Sequence, residues 1–264
     1  PLYPPLCGLT RHSPGCILPC EESAAEVHAA PAKGEKTMKK IAALMLTLCL
    51  LTTCSFALAA GKLEVTQETY VYTEPYEGSF QSYCFAELTN TGDKNVEFGS
   101  GVLEILNAEG DVTDTDDAYI SYPNVIAPGE KAYVRLWSMV SDAEKLEDIS
   151  DYTLTLTGKT SKENVPVHLT ASAVVQEGER WGEKVYTMVA TVTNETSETV
   201  YQPNVVLAAY DADGKLLYTD VTTLYSVGIP AGQTVEVLIT VDSSVSDQWT
   251  ETPATVEAIV YVED

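Results

Sequence analysis

"MVATVTNETSETVYQPNVVLAAYDADGKL", residues 188 to 216, restates in pattern an earlier stretch, "CFAELTNTGDKNVEFGSGVLEILNAEGDV", residues 84 to 112. Asn90 falls on Asn194, Leu103 on Leu207 and Gly110 on Gly214, each 104 positions apart. Further on, "IAPGEKAYVRL" from Ile126 matches "IPAGQTVEVLI" from Ile229, one residue out of step. Upstream, "LEVT" from Leu63 sets against "VHLT" from Val167. Self-similarity of this kind governs the fold, because each copy must bury its own apolar face. The repeating unit is about 100 residues, the size of an immunoglobulin-like sandwich.

Within each copy Val, Thr, Tyr, Leu and Ile alternate with polar residues, and turn clusters interrupt them every ~8 to 15 residues. That is the pattern of antiparallel strands packed as two sheets. The expected fold class is therefore all-β, with two tandem immunoglobulin-like antiparallel β-sandwich domains at 62–160 and 165–264. The polar connection "GKTSKENVP", Gly158 to Pro166, is too short for a long tether. A short helix is expected at 142–148, where Ser141 and Glu144 form a capping box.

The tetrapeptide Asp211-Ala212-Asp213-Gly214 is the nearest thing to a reactive constellation in these repeats. A calcium loop of the EF-hand kind needs glycine at its sixth position and glutamate at its twelfth. Here Gly214 is fourth. A type I turn followed by a left-handed glycine needs Asp or Asn first and Gly fourth, and closes a hairpin with a bulge. Asn107-Ala108-Glu109-Gly110 fits the same template in the other copy. The two copies share turn chemistry while their carboxylates differ, so the turn is the expected reading.

"VVLAAYDADGKLL", preceded by "TVTN" and followed by "PAGQTVEV", resembles the FxLYD domain, an immunoglobulin-like module of secreted and surface proteins of Gram-positive bacteria. The name-giving pattern stands here as Leu207, Ala208, Ala209, Tyr210 and Asp211, and in the first copy as Leu103, Glu104, Ile105, Leu106 and Asn107. The second copy keeps the Tyr-Asp pair and the first only its polarity pattern. The resemblance implies a β-sandwich of unsettled function, with no catalytic residues to carry over.

Composition narrows the partners. With 39 acidic against 15 basic residues the formal net charge is −24. Such a surface repels phosphate backbones and anionic headgroups, which argues against nucleic acid and bare membrane. "MKKIAALMLTLCLLTTCSFALAAG", from Met38, has the basic head, apolar middle and small-residue end of a secretory signal peptide, at 38–59. Small residues at Ala57 and Ala59 place the cut after Ala59. "LTTC" offers the rival, a lipobox whose Cys54 would be lipidated, though Thr53 is larger than the residue usual there. The localisation expected is secreted, with lipid anchoring at the cell membrane as the alternative. Residues 1–37 read as a non-native leader: Lys33-Gly34-Glu35 back-translates to a purine-rich ribosome-binding sequence ahead of Met38.

Chemistry is scarce. After cleavage one cysteine, Cys84, and one histidine, His168, remain. Cys84 aligns with Met188 among apolar positions, so it reads as core, while His168 aligns with Glu64 and reads as outward. No phosphate loop, dinucleotide fingerprint, metal-binding HExxH or nucleophile elbow is present, and no cofactor is expected. "DVTDTDDAY" places Asp111, Asp114, Asp116 and Asp117 in what reads as a loop, a weak Ca²⁺ candidate set against a solvated acidic loop. Trp181, in the hairpin "EGERWGEKVY", reads as a binding residue for a sugar or partner if it stays out, though such a residue more often folds back over its own sandwich. Tyr70, Tyr72 and Tyr76 form the comparable cluster in the first copy.

The function expected is a non-catalytic binding or spacer module of the bacterial envelope, with an envelope protein or a glycan as partner. The alternative is a structural adaptor pairing through edge strands. An enzyme is the remaining reading, and it lacks a nucleophile and base that survive comparison of the copies.

Overall fold

In a computed structural model of the chain, residues 61–140 and 148–263 are described. The leader at 1–37, the signal peptide at 38–59 with its sites at Cys54 and Ala59, and the helix start at Ser141 and Glu144 lie outside the described residues.

The period-two stretches form antiparallel strands throughout. In the first repeat these are β1 (Leu63–Tyr76), β2 (Ser79–Asn90), β3 (Val96–Leu106), β4 (Val112–Ala118), β5 (Val125–Ile126), β6 (Lys131–Val140) and β7 (Asp151–Thr160). In the second they are β8 (Val167–Arg180), β9 (Glu183–Thr193), β10 (Val200–Tyr201), β11 (Asn204–Tyr210), β12 (Leu216–Thr223), β13 (Gly228–Ile229), β14 (Thr234–Thr240) and β15 (Thr255–Val262). One helical turn, α1 (Ser243–Ser246), follows β14 and is capped by the Asp242 carboxylate. The fold is all-β with several antiparallel sheets, in keeping with a β-sandwich.

Each sheet draws its strands from one repeat. The first repeat gives β1-β2-β6 and, separately, β4-β3-β5 with β7 also on β3. The second gives β12-β11-β15-β8-β9-β14, because β8 is long enough to pair with both β15 and β9, and a small β10-β13 pair. Between the sheets of the first repeat lie Cys84, Ala86 and Leu88 of β2 against Leu103, Ile126 and Leu136. Met188, Ala190 and Val192 of β9 do the same against Leu207, Ile229 and Ile239. Each fully buried Leu, Ile, Val or Met among them contributes roughly 1.5–3 kcal/mol.

The shared asparagine makes the same hydrogen bonds in both copies. Asn90 Nδ2 donates to Lys94 O at 2.8 Å and Ile126 O at 2.8 Å, and its Oδ1 accepts from Gly92 N. Asn194 Nδ2 donates to Glu198 O at 2.8 Å and Ile229 O at 2.7 Å, and its Oδ1 accepts from Thr196 N. Both amides are fully buried with their hydrogen bonds made, so each staples a strand end to a remote loop.

The turns follow the sequence pattern closely. Asp211 Oδ1 accepts from Asp213 N at 2.9 Å and Lys215 N at 2.8 Å, Gly214 N donates to Asp211 O, and Gly214 has φ +78°. Asn107 holds its own turn in the same way, through Glu109 N and Asp111 N. The carboxylate of Asp211 is thus taken up by its own hairpin.

One alignment needs correcting. Val65 pairs with Leu88 and Ala171 with Val192, and Leu88 and Val192 are equivalent, so the opening strands match 106 positions apart, not 104. A register shift between Val65 and Gln67 then brings the rest of β1 closer to step. His168 therefore corresponds to Lys62, not to Glu64. A two-residue slip keeps side chains on the same face, and His168 is exposed, 3.7 Å from Glu130.

Candidate functional site

The described residues, 61–140 and 148–263, fall in one unit, and the two repeats meet inside it. On β2, alternation puts Tyr83, Phe85 and Glu87 on the face opposite Cys84, Ala86 and Leu88. That face is expected to be wet, yet Tyr83, Phe85 and Glu87 are all buried. Tyr83 and Phe85 join Tyr133 of β6 in one apolar cluster with Val206, Ala208 and Tyr210 of β11 and Tyr218 of β12. β12 contacts β1, β2 and β6. Phe85 and Tyr218 have ring centroids 4.9 Å apart. The backbone of Leu216 is held by β1: its N–H donates to Gln67 Oε1 at 2.7 Å, and its carbonyl accepts from the Thr69 hydroxyl.

A charged network sits in this seam. Glu87 Oε2 accepts from the Tyr210 hydroxyl at 2.6 Å and from Lys131 Nζ at 3.0 Å, and Glu87 Oε1 accepts from Thr66 at 2.7 Å. The hydroxyls of Tyr133 and Tyr210 are 2.6 Å apart. Lys131 also pairs with Glu257 at 3.0 Å, and Arg135 with Asp220 at 3.1 Å. The Glu87 side chain is only 4% exposed. Burial alone would push its pKa up, but the hydrogen bonds from Tyr210, Thr66 and Lys131, with the charge of Lys131, outweigh that and hold it below the ordinary carboxylate range. The Tyr210 and Tyr133 phenols are pushed upward, chiefly by burial. A carboxylate, two phenols and an ammonium are also the parts of an acid–base site. A base poised for catalysis needs a pKa near neutrality and room for a substrate, and Glu87 has neither. The network is a clamp.

Where the seam opens to solvent it forms a cleft of about 440 Å³. The first repeat supplies Ile120 and Tyr122 from the segment after β4. The second supplies Tyr201, Gln202 and Asn204 around β10 and β11, Thr223 at the end of β12 and Tyr225 beyond it, and Tyr261 and Glu263 from the end of β15. Thr223 donates to Asn204 Oδ1 at 2.6 Å, which orients the amide and leaves its nitrogen as a donor. Gln202 lies in the left-handed region at φ +51°, a conformation that non-glycine residues rarely adopt and that clusters at functional sites. Tyr201 pairs with Gly228 across β10 and β13, and a Cβ at Gly228 would stand 2.7 Å from its ring, so the ring rests directly on the glycine. The Tyr261 hydroxyl is buried and has no hydrogen-bond partner among the described residues. Burial raises its pKa well above the ordinary phenol value.

The residues singled out from sequence are dispersed. Asp114, Asp116 and Asp117 lie on strand β4, not in a loop, because "VTDTDDA" pairs along β3. Asp114 and Asp116 pair with Ile105 and Leu103 and share their face, Asp117 pairs with Val102 on the other, and Asp111 stays in the preceding turn. The four carboxylates do not converge, and no cluster suited to a metal ion occurs among the described residues. Burial, with Asp117 and Asp114 nearby, pushes the pKa of Asp116 upward. Tyr70 packs inside the first repeat, 4.1 Å from Tyr72 and 4.4 Å from Tyr152 between ring centroids. Tyr72 and Tyr76 line a second cleft, about 400 Å³, with Ser243 and Gln248. Trp181 does not fold back over its sandwich. It sits at the β8–β9 hairpin tip with φ +56°, 89% exposed, and Arg180 lies 4.2 Å over its ring. Cys84 is fully buried, and desolvation pushes its thiol up to about 12.

The cleft tyrosines belong to no motif, so their spacing along the chain does not announce them. The seam did leave a signal. "SYCFAEL" and "NVVLAAY" are apolar on both faces, whereas their counterparts "YTMVATV" and "SGVLEIL" alternate. A run apolar on both faces marks a strand covered on both sides.

No protein-family model matches the chain, and no curated protein does. Among solved structures, the red sea bream transglutaminase aligns over 79% of this chain and 29% of its own length, at 9% identity and a TM-score of 0.20. The CBM22-1–CBM22-2 tandem from Paenibacillus barcinonensis Xyn10C aligns over 79% of this chain and 92% of its own, at 11% identity and a TM-score of 0.14. Likenesses this low carry no argument about function.

Proposed function

We propose that this chain is a secreted or surface-anchored, non-catalytic binding protein of the bacterial envelope, made of two immunoglobulin-like sandwiches of the FxLYD kind, with the tyrosine cleft as its binding site. The observation that carries this reading is the build of the cleft. Its walls come from both repeats, and the buried Glu87–Tyr210–Lys131 network fastens those repeats together at the other end of β11. The Tyr-Asp pair by which the second repeat resembles the family divides its work: Tyr210 locks the seam and Asp211 closes the hairpin. Among the described residues no helix is long and apolar enough to cross a membrane.

Intact mass of the native protein, after culture medium and membranes are separated, tests the reading. A free species beginning at Ala60, or a membrane species beginning at a lipidated Cys54, supports it. A cytosolic species retaining 38–59 overturns it.

One observation favours the adaptor alternative. β14 is a sheet edge, and its Leu238 is 62% exposed. Under that reading Leu238→Lys abolishes pairing with an envelope neighbour, whereas the cleft reading leaves binding intact.

A further inference from the structure

We infer that the cleft at the seam binds an uncharged carbohydrate. This rests on the proposed binding function and names the class of its ligand.

Size and form come first. A volume of about 440 Å³ lies within the range of small-molecule sites and suits a short oligosaccharide entering from solvent. The walls carry four tyrosines, Tyr122, Tyr201, Tyr225 and Tyr261. A pyranose presents a flat face of C–H groups ringed by hydroxyls, and a tyrosine presents a flat apolar face with a polar tip, so the two are matched in both respects. Tyr201 and Tyr225 are 66% and 74% exposed, and Tyr201 is already seated on Gly228. A ring fixed before the ligand arrives loses little freedom on binding.

The polar groups match the same ligand. A sugar hydroxyl both donates and accepts, so its site must offer both. Asn204 offers its amide nitrogen, Glu263 offers carboxylate oxygens, and Gln202 offers both kinds of atom. The buried Tyr261 hydroxyl, with no partner among the described residues, is an unmet group that a ligand hydroxyl satisfies.

Charge removes the competing classes. Among the described residues, Glu263 is the one formally charged residue lining the cleft, and no Lys or Arg lines it. Inside a chain of net charge −24 an anionic polymer or a phosphate is repelled. A single carboxylate is too few for a bound Ca²⁺, which takes six to eight oxygens.

The test uses the chain from Ala60 to Asp264 and a panel of soluble hexasaccharides: neutral ones of glucose, mannose, xylose and N-acetylglucosamine, and one of galacturonic acid. Binding is read by calorimetry and by protection of tyrosines from oxidative footprinting. The inference predicts that a neutral oligosaccharide binds and protects Tyr201 and Tyr225. Tyr225→Ala and Tyr201→Ala each weaken it by roughly five- to tenfold, the worth of one aromatic stack. Tyr225→Phe retains most of the affinity. Both rings are exposed, so these variants fold, as circular dichroism verifies. Tyr76→Ala, in the second cleft, has no effect. The inference is overturned if no neutral member binds, if the galacturonate oligomer binds better, or if Tyr76→Ala abolishes binding while Tyr225→Ala does not. A peptide from an envelope protein that protects the same tyrosines, with the panel silent, overturns the ligand class and leaves the binding reading standing. That reading fails separately, in the fractionation.

Discussion

Removing one hydroxyl, in Tyr210→Phe, probes the seam with little change of shape. The Tyr210 hydroxyl donates to Glu87 Oε2 at 2.6 Å and lies 2.6 Å from the Tyr133 hydroxyl. Glu87 keeps Lys131 at 3.0 Å and Thr66 at 2.7 Å, so its charge is not orphaned. Lys131 stands 5.6 Å from the Tyr210 ring centroid, and phenylalanine retains that ring. What is lost is one hydrogen bond to a charged acceptor, worth roughly 1.5–3 kcal/mol, and the bond from the Tyr133 hydroxyl, which keeps Glu257 Oε2 at 3.3 Å as an acceptor. At about 2–4 °C per kcal/mol for a folded unit of this size, the melting temperature falls by roughly 6 °C. Urea unfolding followed by circular dichroism gives the free energy. A double-mutant cycle with Glu87→Gln isolates the pair, with an expected coupling of at least ~1 kcal/mol. A loss under about 0.5 kcal/mol, or additive effects of the two substitutions, would refute the clamp.

Three further outcomes follow from the same geometry. Because the pKa of Glu87 is lowered in the folded chain, its contribution is full above the unfolded value of about 4.3 and is lost as pH falls through the lowered one. Glu87→Gln therefore flattens the acid limb of stability against pH, and an unchanged limb contradicts the assignment. Cys84, buried and with its thiol pushed up to about 12, is expected to resist Ellman's reagent at pH 8 until urea unfolds the chain. Prompt labelling in buffer would place it elsewhere. In the second hairpin, Gly214→Ala forces a side chain into φ +78° and costs about 1–2 kcal/mol by urea unfolding, whereas a neutral result would contradict the turn geometry.

The strands, the all-β class and both hairpin turns were legible in the sequence because they depend on local chemistry: alternation, turn residues and the repeat itself. Asn90 and Asn194 stood out as equivalent, and their identical bonding shows why. Legibility failed where a side chain's fate depends on a distant surface. Glu87 reads as an outward residue by alternation, and it faces outward from its own sheets, but a second repeat covers it. Asp114 and Asp116 read as a loop because four acids in a short span suppress strand propensity, yet pairing with β3 overrides that. Trp181 stays exposed because the tight Arg180–Glu183 turn puts it at the tip in a left-handed conformation, aimed away from its sandwich. The cleft brings Tyr122 to Tyr225 and Tyr261, residues about one repeat or more apart, so only the docked arrangement of the repeats creates it.

Differential scanning calorimetry of the chain from Ala60 to Asp264 tests the central claim, that the two repeats are fastened into one body with a cleft between them. A single transition is expected, with equal calorimetric and van't Hoff enthalpies and shifted as a whole by Tyr210→Phe. Two separable transitions, with Tyr210→Phe moving at most one of them, would contradict it.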